Sequence, residues 1–542
     1  MAGHETAGLL ARERTIAGPG FNRWLVPPAA LAIHLCIGMA YGFSVFWLPM
    51  SKLVPGADAA MCASQGFLDQ LTTTTCNWTV PSVNHVFETF IAMLGLAAAI
   101  WGGWLEHAGP RKAGFIAACC WGGGLVLGGI GVSIHQLWLV YLGCGLLGGV
   151  GQGLGYITPV STLIKWFPDR RGLATGFAIM GYGGGAMIGA PLAVKLMDVF
   201  KVGDVAGVAT TLMVMGVIYF VVITLGAFGF RVTPTGWKPE GYQPAVASNK
   251  APMISHGHVH LSRAWKTPQF WMIWGVLCMN VTAGIGVLSM ASPMLQDVFG
   301  ARLLGLDAGT TLTDAQKLAI AAAAAGLVGL ISLFNSVGRL AWASASDFLG
   351  RKATYGVFFI LGIALYCLLP TLGHLGAAAL FVITVCVILS MYGGGFATVP
   401  SYLSDIFGTQ MVGAIHGRLL TAWSVAGVAG PMLIAGIREA QLNAGVAKNL
   451  VYDRTLYILA VLLLVGLICN LMVRPVDPAL HMTDAELQRE RSLQHDVGAS
   501  DATVAAAARG PFGVVGILAW LAVGIPFLIG VWIAMKKAAG LF

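Results

Sequence analysis

Arg339 is the residue whose position most needs a physical reason. It lies in an apolar run near residues 318 to 345, eight residues before Asp347, which is about 12 Å along a helix rising 1.5 Å per residue. That depth puts a permanent cation near the middle of a segment long enough to cross a bilayer, where it is tolerated only against a cavity or a partner charge. Few acids lie inside apolar runs, and Glu88 sits near the far end of another helix, well away in depth. A guanidinium presents a planar fork of N–H donors that matches a carboxylate. The residue types point to an anionic ligand completing this site.

Other side chains could serve the same cavity. Aromatics give a cavity shape and a polar edge at low conformational cost, and Tyr41, Tyr156, Tyr182, Tyr392, Phe396 and Trp423 all fall in apolar runs, Tyr392 and Phe396 one helical turn apart. Ordinary packing is the competing reading for each. His34, about ten residues into the first run, is a candidate for proton coupling because histidine titrates near physiological pH; a core histidine with satisfied bonds is the alternative. Glu88, with His85 nearby, is a second coupling candidate, an outer-gate pair, or simply interfacial. Cys62 and Cys76 lie in a long polar loop and either bridge in an oxidising compartment or stay free, whereas the other eight cysteines read as small buried hydrophobes. His256, His258 and His260 alternate without a Cys or carboxylate nearby, which favours a solvated loop over a metal site. No nucleophile, base and orienting group occur together, so the sequence predicts no enzyme, cofactor or metal. Gly151, Gly153 and Gly155 imitate a dinucleotide fingerprint but lie in an apolar helix with no strand before them, and read as packing glycines.

The elements that must position these residues are membrane helices. The 542 residues are 57% hydrophobic and 10% charged, against about 25% charged in ordinary soluble domains. Stretches of about 20 apolar residues, enough to cross roughly 30 Å of hydrocarbon, recur along the chain. Six are expected near residues 24–50, 83–105, 113–134, 137–163, 172–196 and 208–230. Six more are expected near 269–294, 318–345, 353–373, 377–403, 414–437 and 455–473, and a thirteenth near 512–535. The organisation predicted is an all-α membrane protein with a first half at 1–230, a cytoplasmic linker at 231–268, a second half at 269–473, a polar linker at 474–511 and an extra transmembrane helix at 512–542. The 73 glycines suit close helix approach and bending. The first apolar run is too long for a cleaved signal and lacks a small-residue cleavage site, so it should stay as an anchor.

With the N-terminus inside, twenty of the 31 Lys and Arg residues fall on the cytoplasmic side, ten fall outside and Arg339 remains in a span. The positive-inside rule favours that orientation, although Lys536 and Lys537 then end the last helix on the outer face. A net charge of +8 without a basic, aromatic-interleaved face gives no nucleic-acid partner. The sequence carries no reading of oligomeric state.

A repeat organises the chain. Gly103, Glu106, Gly109 and Arg111 close the second span, and Asp347, Gly350 and Arg351 close the eighth; Glu106 and Asp347 are 241 residues apart, as are Gly109 and Gly350, Pro159 and Pro400, Gly172 and Gly413, and Gly176 and Gly417. Duplication of a six-span unit accounts for this. The equivalent of Arg339 in the first half is Ala98, so the central charge is asymmetric. A carboxylate at a helix end, with cations in the next tight turn, can tie neighbouring helices on the cytoplasmic side and release them as the halves rock.

This spacing, at both places, resembles the signature loop of the major facilitator superfamily. Tyr156 to Gly176, Asn335 to Arg339, Leu420 to Trp423 and Gly430-Pro431 resemble oxalate/formate antiporter family members, near the monocarboxylate carriers, over about residues 20 to 475. The resemblance implies the two-half fold, a substrate carboxylate at Arg339 and aromatics around it. Carriers of oxalate in that family place a second cation on the eleventh helix, where this chain has Trp423. One guanidinium balances one carboxylate, so the expectation is alternating-access transport of small organic anions, chiefly monocarboxylates, by antiport or proton symport in a bacterial inner membrane. Oxalate or another dicarboxylate, a different small solute, and a carboxylate-sensing receptor are the alternatives. The last helix resembles single-span accessory subunits of such carriers and reads as a fused anchor.

Overall fold

The computed structural model describes residues 8–56, 62, 65–234, 236–242, 253–255, 257–306, 313–493 and 512–538; His256 and the polar stretch 494–511 lie outside them. Among the described residues thirteen helices are long and apolar enough to cross a membrane. The first six are α1 (Arg23–Met50), α2 (Val80–Ala108), α3 (Pro110–Ser133), α4 (Leu137–Trp166), α5 (Arg171–Val199) and α6 (Val208–Gly229). The next six are α7 (Pro268–Phe299), α8 (Ala315–Leu349), α9 (Arg351–His374), α10 (Ala378–Phe407), α11 (Val412–Asn443) and α12 (Asp453–Met472), and α13 (Gly513–Lys537) follows.

Local chemistry sets the helix ends. The hydroxyls of Thr79 and Thr267 cap α2 and α7 by accepting from the Ser82 and Phe270 amides, with proline in the first turn of each. Thr313 and Gln316 form a reciprocal capping box before α8. Gly109 and Gly350, at φ +82° and +83°, turn the chain sharply from α2 into α3 and from α8 into α9, a conformation that disfavours side chains with a Cβ. Two spans are irregular inside the membrane. Gly38–Phe46 of α1 is wound as a 3₁₀-helix and Tyr141–Leu147 of α4 as a π-helix, forms that mark hinges and functional bends.

The duplication appears in the elements themselves: α9 begins and ends 241 residues after α3, and α10 begins and ends 241 residues after α4. The molecule is thus two six-helix pseudo-repeats with one helix more. We call the end of the bundle where α2 turns into α3 the latch face. The opposite face carries the loop in which Cys62 and Cys76 form a disulfide, Cα to Cα 5.5 Å. That loop docks through Trp78, stacked 4.3 Å from the His135 ring, whose Nε2 lies 2.8 Å from the Cys76 carbonyl.

On the latch face, Val259 pairs with His481, and the short helix Asp484–Leu493 lies against the α6–α7 connection, Glu486 meeting Arg263 at 2.7 Å. The two described members of the histidine triplet are engaged separately. His258 is half-buried beside Arg491 and Arg171, and chiefly desolvation lowers its pKa to about 4. His260 caps the helix Leu261–Ala264 through Ser262 and lies 3.4 Å from Glu490.

Close helix approach through glycine builds the first repeat. A Cβ on Gly122 of α3 would lie 2.6 Å from the Gly216 carbonyl of α6, whereas one on Gly123 meets nothing within 4 Å. Gly122→Ala should therefore lower the thermal stability of the purified protein, by roughly 1–3 kcal/mol of overpacking. Gly123→Ala should leave it unchanged or raised. Equal melting curves for the two variants would contradict this packing.

Candidate functional site

The sequence-predicted side chains meet at the centre of the bundle. Arg339 on α8 is fully buried. Its contacts are long: Nε to Asn335 Oδ1 at 3.3 Å, Nη1 to the Ile179 carbonyl at 3.4 Å and Nη2 to Tyr41 Oη at 3.5 Å. Among the described residues no carboxylate forms an ion pair with it, so its five N–H donors are served by three weak acceptors. Its guanidinium carbon stands 5.2 Å from the ring of Phe396, 5.6 Å from Tyr182 and 5.9 Å from Tyr41.

The aromatics form one continuous cage. The rings of Tyr156, Tyr182 and Trp423 stand 5.2–5.3 Å from one another. Phe396 lies 4.7 Å from Trp423 and 5.3 Å from Tyr392, and Tyr41 lies 5.2 Å from Tyr182. Tyr41 and Tyr392 share a 2.9 Å hydrogen bond between hydroxyls, joining α1 to α10 across the two repeats. Only Tyr41 keeps some exposure; the other five are buried. Three polar tips in this cage have no hydrogen-bond partner: Tyr156 Oη, Tyr182 Oη and Trp423 Nε1. Each buried donor left unpaired costs about 1–3 kcal/mol. One uncompensated cation ringed by unpaired donors is chemically an anion site. α1, α4, α5, α8, α10 and α11 all contribute to it, and glycine makes the convergence possible: Gly183 of α5 has no room for a Cβ between Ser336 and Arg339.

His34 lies beside this cage, its ring 5.3 Å from that of Tyr156. Both its nitrogens face carbonyl oxygens, Nδ1 that of Ala178 at 2.5 Å and Nε2 that of Tyr156 at 3.2 Å. A neutral imidazole has one N–H, so one of these contacts sets a lone pair against a carbonyl lone pair. On the other side of Tyr156, at 5.9 Å, sits His416 of α11, fully buried with neither nitrogen bonded. Sequence reasoning missed His416, although an ionisable side chain inside an apolar span was the signal that had singled out Arg339. Glu88 is not brought to the cage: it pairs with His85 at 2.8 Å, partly exposed, near the start of α2.

The repeated acidic motifs meet on the latch face. Glu106 Oε1 accepts from the Gly413 amide at the start of α11 at 3.0 Å and from Ser161 at 3.1 Å, and Oε2 lies 2.5 Å from Lys165. Asp347 accepts from the Gly172 and Leu173 amides at the start of α5 at 2.9 and 3.0 Å and pairs with Arg351 at 2.6 Å. Arg351 also meets Ser346 and, at 3.3 Å, Asp405, which Arg171 reaches at 3.0 Å. Each carboxylate of one repeat thus holds the positive end of a helix in the other. The two contacts obey the 241-residue repeat.

One expectation is corrected here. The cation that follows Glu106 in sequence, Arg111, does not tie it: Arg111 donates to the Leu9 carbonyl at 3.2 Å and lies over Phe228. Arg12 fills the space beside Gly109 and donates to the Glu106 carbonyl at 2.5 Å, so Lys165 supplies the charge. Gly103 lies at this end too, facing Leu261. A cavity of about 1310 Å³ opens on the latch face and is lined by Glu106, Lys165, Asp347 and Arg351; the cage residues do not line it.

A family model, the Major Facilitator Superfamily, matches residues 30–431. The oxalate:formate antiporter of Oxalobacter formigenes is 31% identical over 341 residues, covering 62% of this chain and 71% of that one. Apicoplast pyruvate carrier 1 of Toxoplasma gondii is 24% identical over 373 residues, 61% of this chain and 63% of that one. Among solved structures, the Escherichia coli fucose:proton symporter superposes with a TM-score of 0.55 at 13% identity, over 84% of this chain and all of that one, which shows the shared fold. The matched span, the duplicated helices and the paired latches together place the chain in the major facilitator superfamily, in its oxalate/formate antiporter family, as a multi-pass membrane transporter and not an enzyme.

Proposed function

We propose that this transporter carries small organic monocarboxylates by alternating access, with Arg339 gripping the carboxylate and the cage aromatics enclosing it. The observation that carries the reading is the fully buried guanidinium that has no carboxylate partner among the described residues and is surrounded by unpaired donors. A carboxylate there would satisfy the fork and accept from Tyr156, Tyr182 or Trp423. The single central cation, with Trp423 where oxalate carriers of the resembled family place another, supports one carboxylate over two. The similarity to an oxalate:formate antiporter favours the second reading, exchange of a dicarboxylate such as oxalate for formate.

In this reading the latch face is cytoplasmic and the chain enters the bacterial inner membrane with its N-terminus inside. The Cys62–Cys76 disulfide on the opposite face suits an oxidising periplasm. The structure then represents the cytoplasm-closed state, locked by Glu106 on Gly413 and Asp347 on Gly172. Rocking of the halves breaks both locks and opens the site inward. Glu88, exposed beside His85, has no part in this cycle.

His34 supplies the coupling proton. Its second nitrogen already faces a carbonyl that would accept an N–H, and the cage beside it holds the Arg339 charge. An anion on Arg339 cancels this charge, so anion and proton bind cooperatively.

Arg339→Ala should reduce kcat/KM for carboxylate uptake into proteoliposomes about 100-fold, the equivalent of roughly 2.7 kcal/mol of lost charge-assisted bonding, without preventing folding. Normal saturable uptake by that variant contradicts the assignment. Counterflow of labelled carboxylate should occur across the sealed bilayer, which a receptor cannot support. An inward-directed proton gradient should accelerate uptake several-fold, and His34→Asn should transport without that acceleration. Retained gradient sensitivity in this variant would remove His34 from the coupling step.

A further inference from the structure

The last helix carries a regular stripe. Gly516, Trp520, Val523, Phe527, Gly530 and Ala534 recur at intervals of four and three; Gly516, Val523, Gly530 and Ala534 are buried and Trp520 and Phe527 half-buried, whereas Val515, Leu528 and Trp532 are exposed. A 3.5-residue stripe is the pattern of a helix laid along others in a long seam. The seam is between α5 and α8, which belong to different repeats. Trp520 lies 5.7 Å from Phe177, Phe527 packs where a Cβ on Gly184 would be, and Gly530 packs on Met187 and Ile188, a separation of 342 or 343 residues from α5 throughout. On the α8 side, Ala534 packs on Gly329, and Ser336 borders the same Gly184 notch that Phe527 fills. Near the latch face, Trp520 Nε1 donates to the Trp24 carbonyl at 3.1 Å.

The order of these contacts along the seam has a mechanical consequence. From the latch face to mid-depth, α5 and α8 touch each other directly: Gly172 on Ala343, Gly176 on Leu340 and Gly183 on Ser336 and Arg339. From Gly184 outward α13 packs against both, with Phe527 at the fork. We propose that α13 is a wedge that holds α5 and α8 apart on the periplasmic half of their seam, and that Phe527 is a positioning residue for Arg339. Opening the latch face requires α5 and α8 to separate there and close on the other side. The wedge occupies the space that this closure needs, so it favours the cytoplasm-closed state. The same ring braces the turn of α8 that carries Ser336 and Arg339.

The proposal rests on the alternating-access reading, but its primary test needs no substrate. Thr175 of α5 is buried between the two halves and donates to the Ala397 carbonyl of α10 at 2.8 Å, so a thiol there is modified only when the latch side opens. In the full-length protein in inside-out vesicles, the rate at which an impermeant maleimide modifies Thr175→Cys is read at that peptide by mass spectrometry. Adding Phe527→Ala should raise the rate about threefold or more, as a shift of the two-state equilibrium toward the open latch requires. Phe527→Leu, which refills much of the notch, should restore most of the original rate. An unchanged or slower rate with Phe527→Ala overturns the wedge. Should Phe527→Ala not accumulate, Phe527→Val carries the same two outcomes. In proteoliposomes Phe527→Ala should also raise KM for the transported carboxylate more than it lowers kcat; an unchanged KM removes the positioning role. Carboxylate transport lost with Arg339→Ala but unaltered latch labelling with Phe527→Ala would sink the wedge alone.

Discussion

A guanidinium held at the middle of a membrane protein, with no acid among the described residues to neutralise it, governs this structure. Desolvating a lone cation is expensive, and the protein offers Arg339 only long contacts and aromatic faces in return. In the proposed reading the missing stabilisation is left to a ligand. A carrier built this way closes over an anion more readily than over an empty site, because only the loaded cage is electrically complete. Exchange of one anion for another is then intrinsically easier than the return of an empty carrier. In the proposed cycle a proton on His34, beside the cage on α1, tunes the same balance.

The duplication explains how such a site can be built and moved. Its symmetric part is mechanical: two carboxylates, two helix starts and one repeat distance give each half a hold on the other. Its asymmetric part is chemical, for Arg339 stands where the first repeat has Ala98. In the proposed cycle the symmetric latches let the halves rock as units, while the asymmetric charge selects what is bound. Glycine connects the two, since helices that approach as closely as α5 and α8 leave no room for side chains at Gly172, Gly176 and Gly183. The seam that aims Arg339 is the one the latch controls.

Much of this was legible in the sequence because membrane helices are long and their patterns strong. The thirteen spans, the 241-residue repeat and Arg339 can be read from hydropathy, spacing and the cost of a buried charge, and the six cage aromatics from the family resemblance. What could not be read depends on tertiary neighbours. Lys165 replaces Arg111 as the partner of Glu106 because Arg12 folds in from the distant N-terminus and fills the turn at Gly109. The 3₁₀ winding of α1, which carries Tyr41 toward Tyr392, leaves no signal in an apolar run. His416 was legible in principle but lies in a span whose other polar residues drew attention first. The stripe on α13 was visible too, yet nothing in the sequence said which two helices it would lie between.

The most direct measurement is an experimental structure of the protein saturated with a short monocarboxylate such as pyruvate or formate. The account predicts density for the carboxylate in the cage, within hydrogen-bonding distance of the Arg339 guanidinium and at least one of Tyr156 Oη, Tyr182 Oη and Trp423 Nε1. Ligand bound elsewhere, or Arg339 paired with a protein carboxylate while the cage stays empty, would contradict it.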